Sequence, residues 1–258
     1  MPMNVVRMKD PLQPAEGGLS ILSVQFEVVD NDRPDYPVVR FLVEGRDPFV
    51  VAAPGSLGYD PTKILGSRSP LLPMDQGRRV ALYYCPSDDG SVIAAMIVPS
   101  SDGRRVSWLD FRDPGFFVYP IEPIDVAESG RLWDLPDLHF DRAQYIAEIE
   151  RASAYESWET DRRRTARLLY ERLQPLELVL PPDLTLAETG APGREDGVTL
   201  MFLRIIRADR IMVRQQMLRL TSAQGDPDQA AQDMAQQLLS ISPDDWADSF
   251  GWRPAGSW

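Results

Sequence analysis

The two side chains with the most distinctive reactivity occur once each in this sequence: Cys85, in YYCPSDDGS, and His139, in LPDLHFD. A thiol and an imidazole form a nucleophilic pair when the fold brings them within hydrogen-bond reach and an acid orients the imidazole. More than fifty residues separate the two, and nothing in the local sequence supports the pairing. We therefore predict that Cys85 is inert and that His139 is structural.

Metal-ligating and phosphate-binding patterns are equally sparse. With one Cys and one His, a zinc site built from nitrogen and sulfur would lack ligands. Acidic residues are plentiful, so an oxygen-ligated Mg or Ca site stays open, although DPDQAAQD lacks the glycine and the terminal glutamate of an EF-hand. The loop PGSLGYDP is not followed by the GK[ST] of a phosphate-binding loop. We predict no catalytic, cofactor-binding or metal-binding residue and no cofactor.

One basic patch and two terminal tryptophans are the remaining candidates for a binding site. Arg162–Arg164 and Arg167 would lie on one helix and could bind a phosphate or an acidic partner. Acids balance this run, so we interpret it as a solvated helix face; they are Glu156, Glu159, Asp161 and Glu171. Trp252 and Trp258 lie near the end of the sequence and could mark an interface, because exposed aromatic residues often do.

The charge of the chain excludes one class of partner and favours another. The 258 residues are 43% hydrophobic and 26% charged, and the net charge of −12 is divided evenly between the two halves. This composition is typical of a folded protein with a sizeable core. A negative field repels phosphate backbones, so we do not expect general nucleic-acid binding. The same field attracts a cationic protein partner.

The cysteine count and the hydropathy predict the location of the protein. A single cysteine excludes an internal disulfide and fits a reducing, cytoplasmic setting. The N-terminal stretch MPMNVVRMKDPLQP lacks the apolar core of a signal peptide. The longest aliphatic run, Val92–Val98, is too short to cross a bilayer. We therefore expect a cytoplasmic protein with no membrane insertion.

The first half of the chain has the patterns of β-strands. Residues 20–30 and 36–44 alternate in the manner of a strand pair, and 49–53 is a candidate third strand. The clearest signal is a ribbon of three strands joined by two turns that contain Asp-Gly. Its middle strand, SVIAAMIV, is apolar on both faces and should be covered on both sides.

Four details of this half can be checked. In the third ribbon strand, alternation places Trp108 and Asp110 on one face and Phe111 on the other. GFFVYP, at 115–120, is a further strand-like run. Residues 54–77 form a long loop of the kind that is often functional or mobile. The three ribbon strands are expected over Arg79–Cys85, Ser91–Val98 and Arg104–Phe111.

The second half has helical signals. Asp141 opens a helix to about Ala154, with Gln144 placed to complete a capping box. Its expected apolar line is Phe140, Ala143, Ile146 and Ile149. A second helix covers about 160–174, with Ala166, Leu169 and Leu173 inward. A third is capped by Asp226, has Pro227 at its first helical position, and turns Ala231, Met234 and Leu238 inward.

Two questions of organisation stay open. Residues 198–221 fit either a helix or two strands that turn near 207–210, and we prefer the strands. We predict an α+β fold, with a mainly antiparallel sheet in the N-terminal half and two or three helices in the C-terminal half. A flexible lead-in over 1–18 precedes one domain over 19–258, with 129–134 as the alternative boundary between two.

Several segments resemble a set of uncharacterised proteins from GC-rich, actinobacterial genomes. They are the run from Val80 to Arg112, LWDLPDLHFD, YESWETDRRRTARLLYERL and DDWADSFGW, and the resemblance covers roughly 79–252. Some of those proteins have further Cys and Gly residues near the position of Cys85, whereas this chain has one Cys, so no metal or redox role carries over. The resemblance implies the order of elements and no activity.

Three functions are consistent with these observations. The leading hypothesis is a non-catalytic cytoplasmic module that binds another protein, as an acidic inhibitor or immunity-type partner. The alternative is a hydrolase or transferase that uses carboxylates or an oxygen-ligated metal. A second alternative is a self-assembling structural component whose sheet edges pair between chains. The absence of a catalytic set in the sequence favours a protein that is not an enzyme.

Overall fold

A computed structural model describes residues 18–29, 35–86, 91–114, 130–173, 180, 184–191, 197–207, 212–250 and 253–254. Several predictions lie outside these residues: the lead-in apart from Gly18, the first ribbon turn at 87–90, the strand-like run at 115–120, and both Trp252 and Trp258. Within them the fold is α+β with antiparallel sheets, as predicted.

The strands are β1 (Leu22–Val28), β2 (Pro37–Val43), β3 (Leu57–Gly58), β4 (Arg78–Tyr84), β5 (Val92–Pro99), β6 (Arg105–Asp113), β7 (Arg131–Leu132), β8 (Leu138–Asp141), β9 (Leu184–Gly190), β10 (Val198–Arg207), β11 (Met212–Leu220) and β12 (Arg253–Pro254). The helices are α1 (Pro48–Ala52), α2 (Pro61–Ile64), α3 (Arg142–Ala154), α4 (Asp161–Leu173), α5 (Pro227–Leu239) and α6 (Trp246–Phe250). The three longest helices, α3, α4 and α5, lie in the C-terminal half. None of the described helices is long and apolar enough to cross a membrane.

The chain divides into two compact units, each with its own apolar core. The first comprises Met1–Val29 and Pro37–Glu156, and the second comprises Asp30–Tyr36 and Ser157–Trp258. The division falls between Glu156 and Ser157, and the alternative boundary at 129–134 lies inside the first unit. The reason is that β7 and β8, on either side of that stretch, both pair with β6.

The predicted ribbon is the centre of the first unit. Its sheet has the order β3-β4-β5-β6-β7, with β8 also paired to β6, and β1 and β2 form a separate antiparallel pair. On β5, neighbouring residues that point to opposite faces are both buried, among them Ile93 and Ala94. The prediction that the middle strand is covered on both sides is confirmed.

The predicted strand at 49–53 is wrong, because this stretch is the helix α1. The Asp47 side chain accepts hydrogen bonds from the backbone N–H groups of Phe49 and Val50, and Pro48 occupies the first turn. Asp60 and Pro61 start α2 in the same way. An Asp cap followed by Pro is a helix start signal, and it outweighs the β-branched composition of so short a segment.

The long loop predicted at 54–77 contains β3 and α2, and side chains hold it in place. Ile64 and Leu71 are fully buried in the first core. The Arg78 guanidinium donates to the carbonyl oxygens of Ser69 and Leu72, both at 2.8 Å. This segment is therefore an integral part of the first unit.

Among its described residues, the second unit has a four-stranded sheet, β12-β11-β10-β9, with α4 packed on its strands β9 and β10 and α5 packed on α4. The strands β10 and β11 pair over residues 198–220, which confirms the preference for two strands there. Every residue predicted to face inward on α4 and α5 is buried. These are Ala166, Leu169, Leu173, Ala231, Met234 and Leu238.

Candidate functional site

The sheet of the first unit has register shifts on β4, between Ala81 and Tyr83, and on β6, where Asp110 forms a β-bulge. Asp110 has φ +48°, in the left-handed region, and one extra residue of β6 lies between the pairs Ala94–Arg112 and Met96–Leu109. The bulge resets the alternation of the strand. Trp108 and Phe111 consequently both pack on the ring of Phe49, with centroid distances of 6.1 and 5.8 Å. The prediction that they face opposite sides is wrong.

Two arginines hold the bulge residue. The Arg79 side chain is 1% exposed; it donates to the Asp110 carbonyl oxygen at 2.6 Å and also binds the Asp110 carboxylate. The Arg112 Nε donates to both carboxylate oxygens, at 2.8 and 2.9 Å. Burial alone would raise the pKa of Asp110, but the hydrogen bonds from Arg112 and Arg79 outweigh it and hold the pKa below its usual value.

This arrangement is suited to fixing the backbone and poorly suited to acid–base catalysis. A general base works best when its pKa lies near the working pH, and the pKa of Asp110 is shifted away from neutrality. Both of its oxygens already accept hydrogen bonds from guanidinium groups. The cluster compensates for a strained backbone conformation and so keeps Trp108 and Phe111 in the core.

His139 makes a hydrogen bond, but not in a nucleophilic site. It lies opposite Ser107 in the β6–β8 pair, with 2.8 Å between its Nδ1 and the Ser107 Oγ. Ser107 is 6% exposed, so its hydroxyl is not presented to a substrate. Burial, followed by the charge of Arg105, lowers the pKa of His139, and Asp137 opposes the shift.

The strand register excludes the pairing of Cys85 with His139. The Cys85 N–H donates to the Ser91 carbonyl oxygen at one end of β5. His139 pairs with Ser107, which pairs with Val98 at the other end of β5. Seven residues of extended strand span about 23 Å. The two side chains therefore lie at opposite ends of the sheet, far beyond hydrogen-bond reach.

The predicted basic patch on α4 is bound internally within the second unit. Arg162 pairs with the Asp35 carboxylate at 3.0 Å and donates to the Ala191 carbonyl oxygen at 2.6 Å. Arg163 donates to the Asp35 carbonyl oxygen at 2.7 Å. Arg167 makes two bonds to Glu159, whose side chain is 4% exposed, and hydrogen bonds from this acid raise the pKa of Arg167. The prediction of a solvated helix face is therefore wrong for Arg162, Arg163 and Arg167, which are half-buried, and fits Arg164, which is exposed.

Most of the described arginines are buried or half-buried, whereas most of the described acids are exposed. Among residues with described side chains, 14 acids but only 6 bases are exposed. The bases are Arg46, Arg68, Arg104, Arg131, Arg151 and Arg164. The described surface is therefore more acidic than the residue totals alone imply, and its field favours cationic partners.

The imbalance is steepest in the second unit. Its described exposed acids all belong to helices or to the residues that start them, and Arg164 is the one exposed base among its described residues. We name these acids the acidic helical layer: Asp161, Glu171, Asp226, Asp228 and Asp245. Two of them also form ion pairs, Glu171 with Arg167 at 3.1 Å and Asp228 with Arg172 at 2.8 Å.

Sequence reasoning missed the ion cluster at the bulge. Arg79 begins a predicted strand, where alternation alone does not distinguish a buried guanidinium from an exposed one. An aspartate in the middle of an apolar strand, WLDF, is the signal that could have pointed to a bulge. Among the described residues, no group of three or more His, Cys, Asp or Glu side chains is arranged to hold a metal ion.

Comparisons with protein-family models, with curated proteins and with solved structures give no match to this chain. The resemblance to actinobacterial proteins therefore stays a prediction.

Proposed function

We propose that the chain is a non-catalytic cytoplasmic module that binds a cationic protein, in the manner of an acidic inhibitor or immunity-type partner. The observation that carries this proposal is the charge distribution: exposed acids outnumber exposed bases 14 to 6 among the described side chains. A negatively charged surface speeds association with a cationic partner and repels the phosphate backbone of nucleic acids. The acidic helical layer is the proposed contact surface.

The internal role of the arginines supports the same proposal. Arg162 and Arg167 are bound by acids and backbone groups of the second unit, so they do not cancel the field of the helical layer. Asp226 and Asp228 lie at the start of α5, where the helix dipole stabilises a carboxylate. Arg172, at 2.8 Å from the Asp228 carboxylate, is the base that pairs with Asp228 there. The carboxylate-based enzyme and the self-assembling component remain the alternative hypotheses.

The test compares two variants that change the net charge equally. The first neutralises the acidic helical layer with Asp161→Asn, Glu171→Gln, Asp226→Asn, Asp228→Asn and Asp245→Asn; asparagine still caps α5. The control neutralises five exposed acids of the first unit, Asp75→Asn, Asp134→Asn, Asp137→Asn, Glu150→Gln and Glu156→Gln. Each immobilised protein is used to capture partners from the native host at low salt, and bound proteins are identified by mass spectrometry.

We expect the wild type and the control variant to capture the same cationic protein, and the helical-layer variant to lose it. Raising the salt concentration should release that protein, because exposed charges are screened within a Debye length of about 8 Å at physiological ionic strength. Capture of no specific protein by the wild type would contradict the proposal. Equal capture by all three proteins would place the contact surface elsewhere.

A further inference from the structure

Among the described residues, side chains of α3 contact the edge of β1 that faces away from β2. β1 pairs with β2 along one side. On the other side, alternate residues point their backbone N–H and C=O groups away from the pair. Such an edge is a template for pairing with a second chain, and natural proteins cover it or block it.

Three side chains of α3 bind four of these backbone groups. The Gln144 amide makes both bonds to Leu22: its Nε2 donates to the Leu22 carbonyl oxygen at 2.8 Å, and its Oε1 accepts from the Leu22 N–H at 3.3 Å. The Glu148 Oε1 accepts from the Val24 N–H at 2.5 Å. The Arg151 Nη2 donates to the Val24 carbonyl oxygen at 2.8 Å. Each residue thus receives the donor and acceptor that a neighbouring strand would provide.

The spacing of the two elements explains why a helix can do this. Gln144 and Glu148 are one turn apart, about 6 Å along the helix axis. Leu22 and Val24 are two residues apart, about 6.6 Å along the strand. Successive turns of α3 therefore meet successive residues on the same side of β1.

Immediately before α3, the chain contacts the segment that leads into β1 with its own backbone, as a neighbouring β-strand would. The Ser20 N–H donates to the His139 carbonyl oxygen at 2.7 Å, and Ser20 and Phe140 form a parallel bridge. The segment from His139 to Arg151 therefore follows β1 first with its backbone and then with side chains. One helical turn beyond Glu148 is Ala152, whose methyl group cannot form a hydrogen bond. Just past the end of α3, the ring of Tyr155 stacks on that of Phe26 in β1, with 5.5 Å between the ring centroids.

We propose that Gln144, Glu148 and Arg151 act as a built-in substitute for a β-strand, which prevents β1 from pairing with β1 of a second copy of this chain. The three residues bind four of the backbone groups that such pairing requires, those of Leu22 and Val24. Glu148 and Arg151 also bind each other, with 2.7 Å between the Arg151 Nε and a Glu148 carboxylate oxygen, and this contact holds both side chains at the edge. The device is independent of the proposed partner binding, because it lies in the first unit.

The test combines hydrogen exchange with sedimentation on the full chain. In the triple variant Gln144→Ala, Glu148→Ala and Arg151→Ala, the amides of Leu22 and Val24 should exchange about tenfold faster or more at low protein concentration. As the concentration rises, the variant should dimerise or assemble further, and protection of the same two amides should return. Glu150→Ala, which removes an exposed acid on another side of α3, should change neither measurement.

A single variant keeps the proposal testable if the triple variant does not fold. Gln144→Leu keeps the helix propensity and the Glu148–Arg151 pair, so protection should fall at Leu22 and persist at Val24. Undiminished protection at Leu22 would overturn the proposal. So would a triple variant that stays monomeric at millimolar concentration, or one that assembles while both amides still exchange fast.

Discussion

The core of the first unit is aromatic and hydrogen-bonded, whereas that of the second is mainly aliphatic and closed by helices. In the first, the Trp108 indole N–H donates to the Tyr145 hydroxyl at 3.1 Å, which in turn donates to the Leu71 carbonyl oxygen at 2.8 Å. In the second, Phe202 and Trp246 form the aromatic pair of an otherwise aliphatic cluster. Aromatic rings with polar tips fix the orientation of their neighbours, while aliphatic side chains tolerate repacking.

A deeply buried arginine and an exposed ion pair lie in different units. The first unit buries the Arg79 guanidinium against the bulge at Asp110. The second keeps pairs such as Arg172–Asp228 at its surface, with side chains 35% and 60% exposed. A buried pair is costly to break, and an exposed pair contributes little. The comparison teaches that burial decides the role of an ion pair: Arg79–Asp110 in the first unit and Arg167–Glu159 in the second are structural, whereas Arg172–Asp228 leaves charge at the surface.

Substitution of the two buried tryptophans should show the largest difference between the units. We expect Trp108→Ala to lower the free energy of unfolding by about 3–5 kcal/mol. Trp246→Ala should cost about 1–2 kcal/mol less: both indole N–H groups donate, Trp246 to the Ile241 carbonyl oxygen at 3.1 Å, but Trp108→Ala removes a partner from the fully buried Tyr145 hydroxyl. Urea unfolding followed by circular dichroism measures both. Trp108→Phe, which keeps a ring and removes the N–H, is the control, and equal costs for the two alanine variants would refute the comparison.

Two matched arginine variants should show the next largest difference. Arg79→Met should destabilise the protein by about 2–3 kcal/mol, below the usual cost of breaking a buried pair because Asp110 keeps Arg112. Arg172→Met should cost less than about 1 kcal/mol, since both partners are partly exposed. Denaturant midpoints for the two variants provide the measurement. A similar cost for both would mean that burial does not distinguish the ion pairs of the two units.

The contrast between the two units also explains which parts of the fold could be predicted from the sequence. In the second unit, α4 and α5 bury every residue that the helical period placed inward, because regular helices on a regular sheet keep their periodicity. In the first unit, the period failed on α3. The expected line included Ala143, which is exposed, and omitted Tyr145, which is fully buried. A tyrosine counts as polar in a hydropathy pattern, although its hydroxyl finds two partners in this core.

Gln144 shows a second limit of local patterns. The Asp141 carboxylate accepts from the Gln144 N–H at 3.0 Å, as the predicted capping box requires. The Gln144 side chain, however, binds Leu22, which is more than a hundred residues away in the chain. A local motif identifies the helix start, but it does not identify a distant strand edge that competes for the same amide. For the same reason the bulge at Asp110 and its contact with Arg79 could not be predicted from spacing.

The bulge allows a smaller and more selective test of backbone strain in the first unit. Asp110→Gly and Asp110→Ala both remove the carboxylate, but only glycine adopts φ +48° without strain. We expect the glycine variant to be more stable than the alanine variant by about 1 kcal/mol, although both are less stable than the wild type. Thermal unfolding would measure the difference. An alanine variant at least as stable as the glycine variant would show that the left-handed conformation is not a constraint.

The smallest expected effect is the pH dependence that His139 adds to the first unit. Burial and Arg105 lower the pKa of His139 in the folded state, and Asp137 opposes them, so protonation favours the unfolded chain. The stability that His139 contributes is therefore complete above its ordinary pKa of about 6.5 and is lost as the pH falls through the lower, folded-state pKa. His139 is the only histidine of the sequence, so no other imidazole contributes to the slope between pH 6.5 and 5.

His139→Asn separates this contribution from the titration of carboxylates. Asparagine keeps a polar group opposite Ser107 and does not titrate, so the slope of unfolding free energy against pH should flatten between pH 6.5 and 5. Urea midpoints measured across that range would detect the change. An unchanged slope would show that the imidazole is equally easy to protonate in the folded and unfolded chains, and a wild type that gains stability on acidification would reverse the sign of the predicted effect. Either result would show that burial and the charge of Arg105 do not control the protonation of His139.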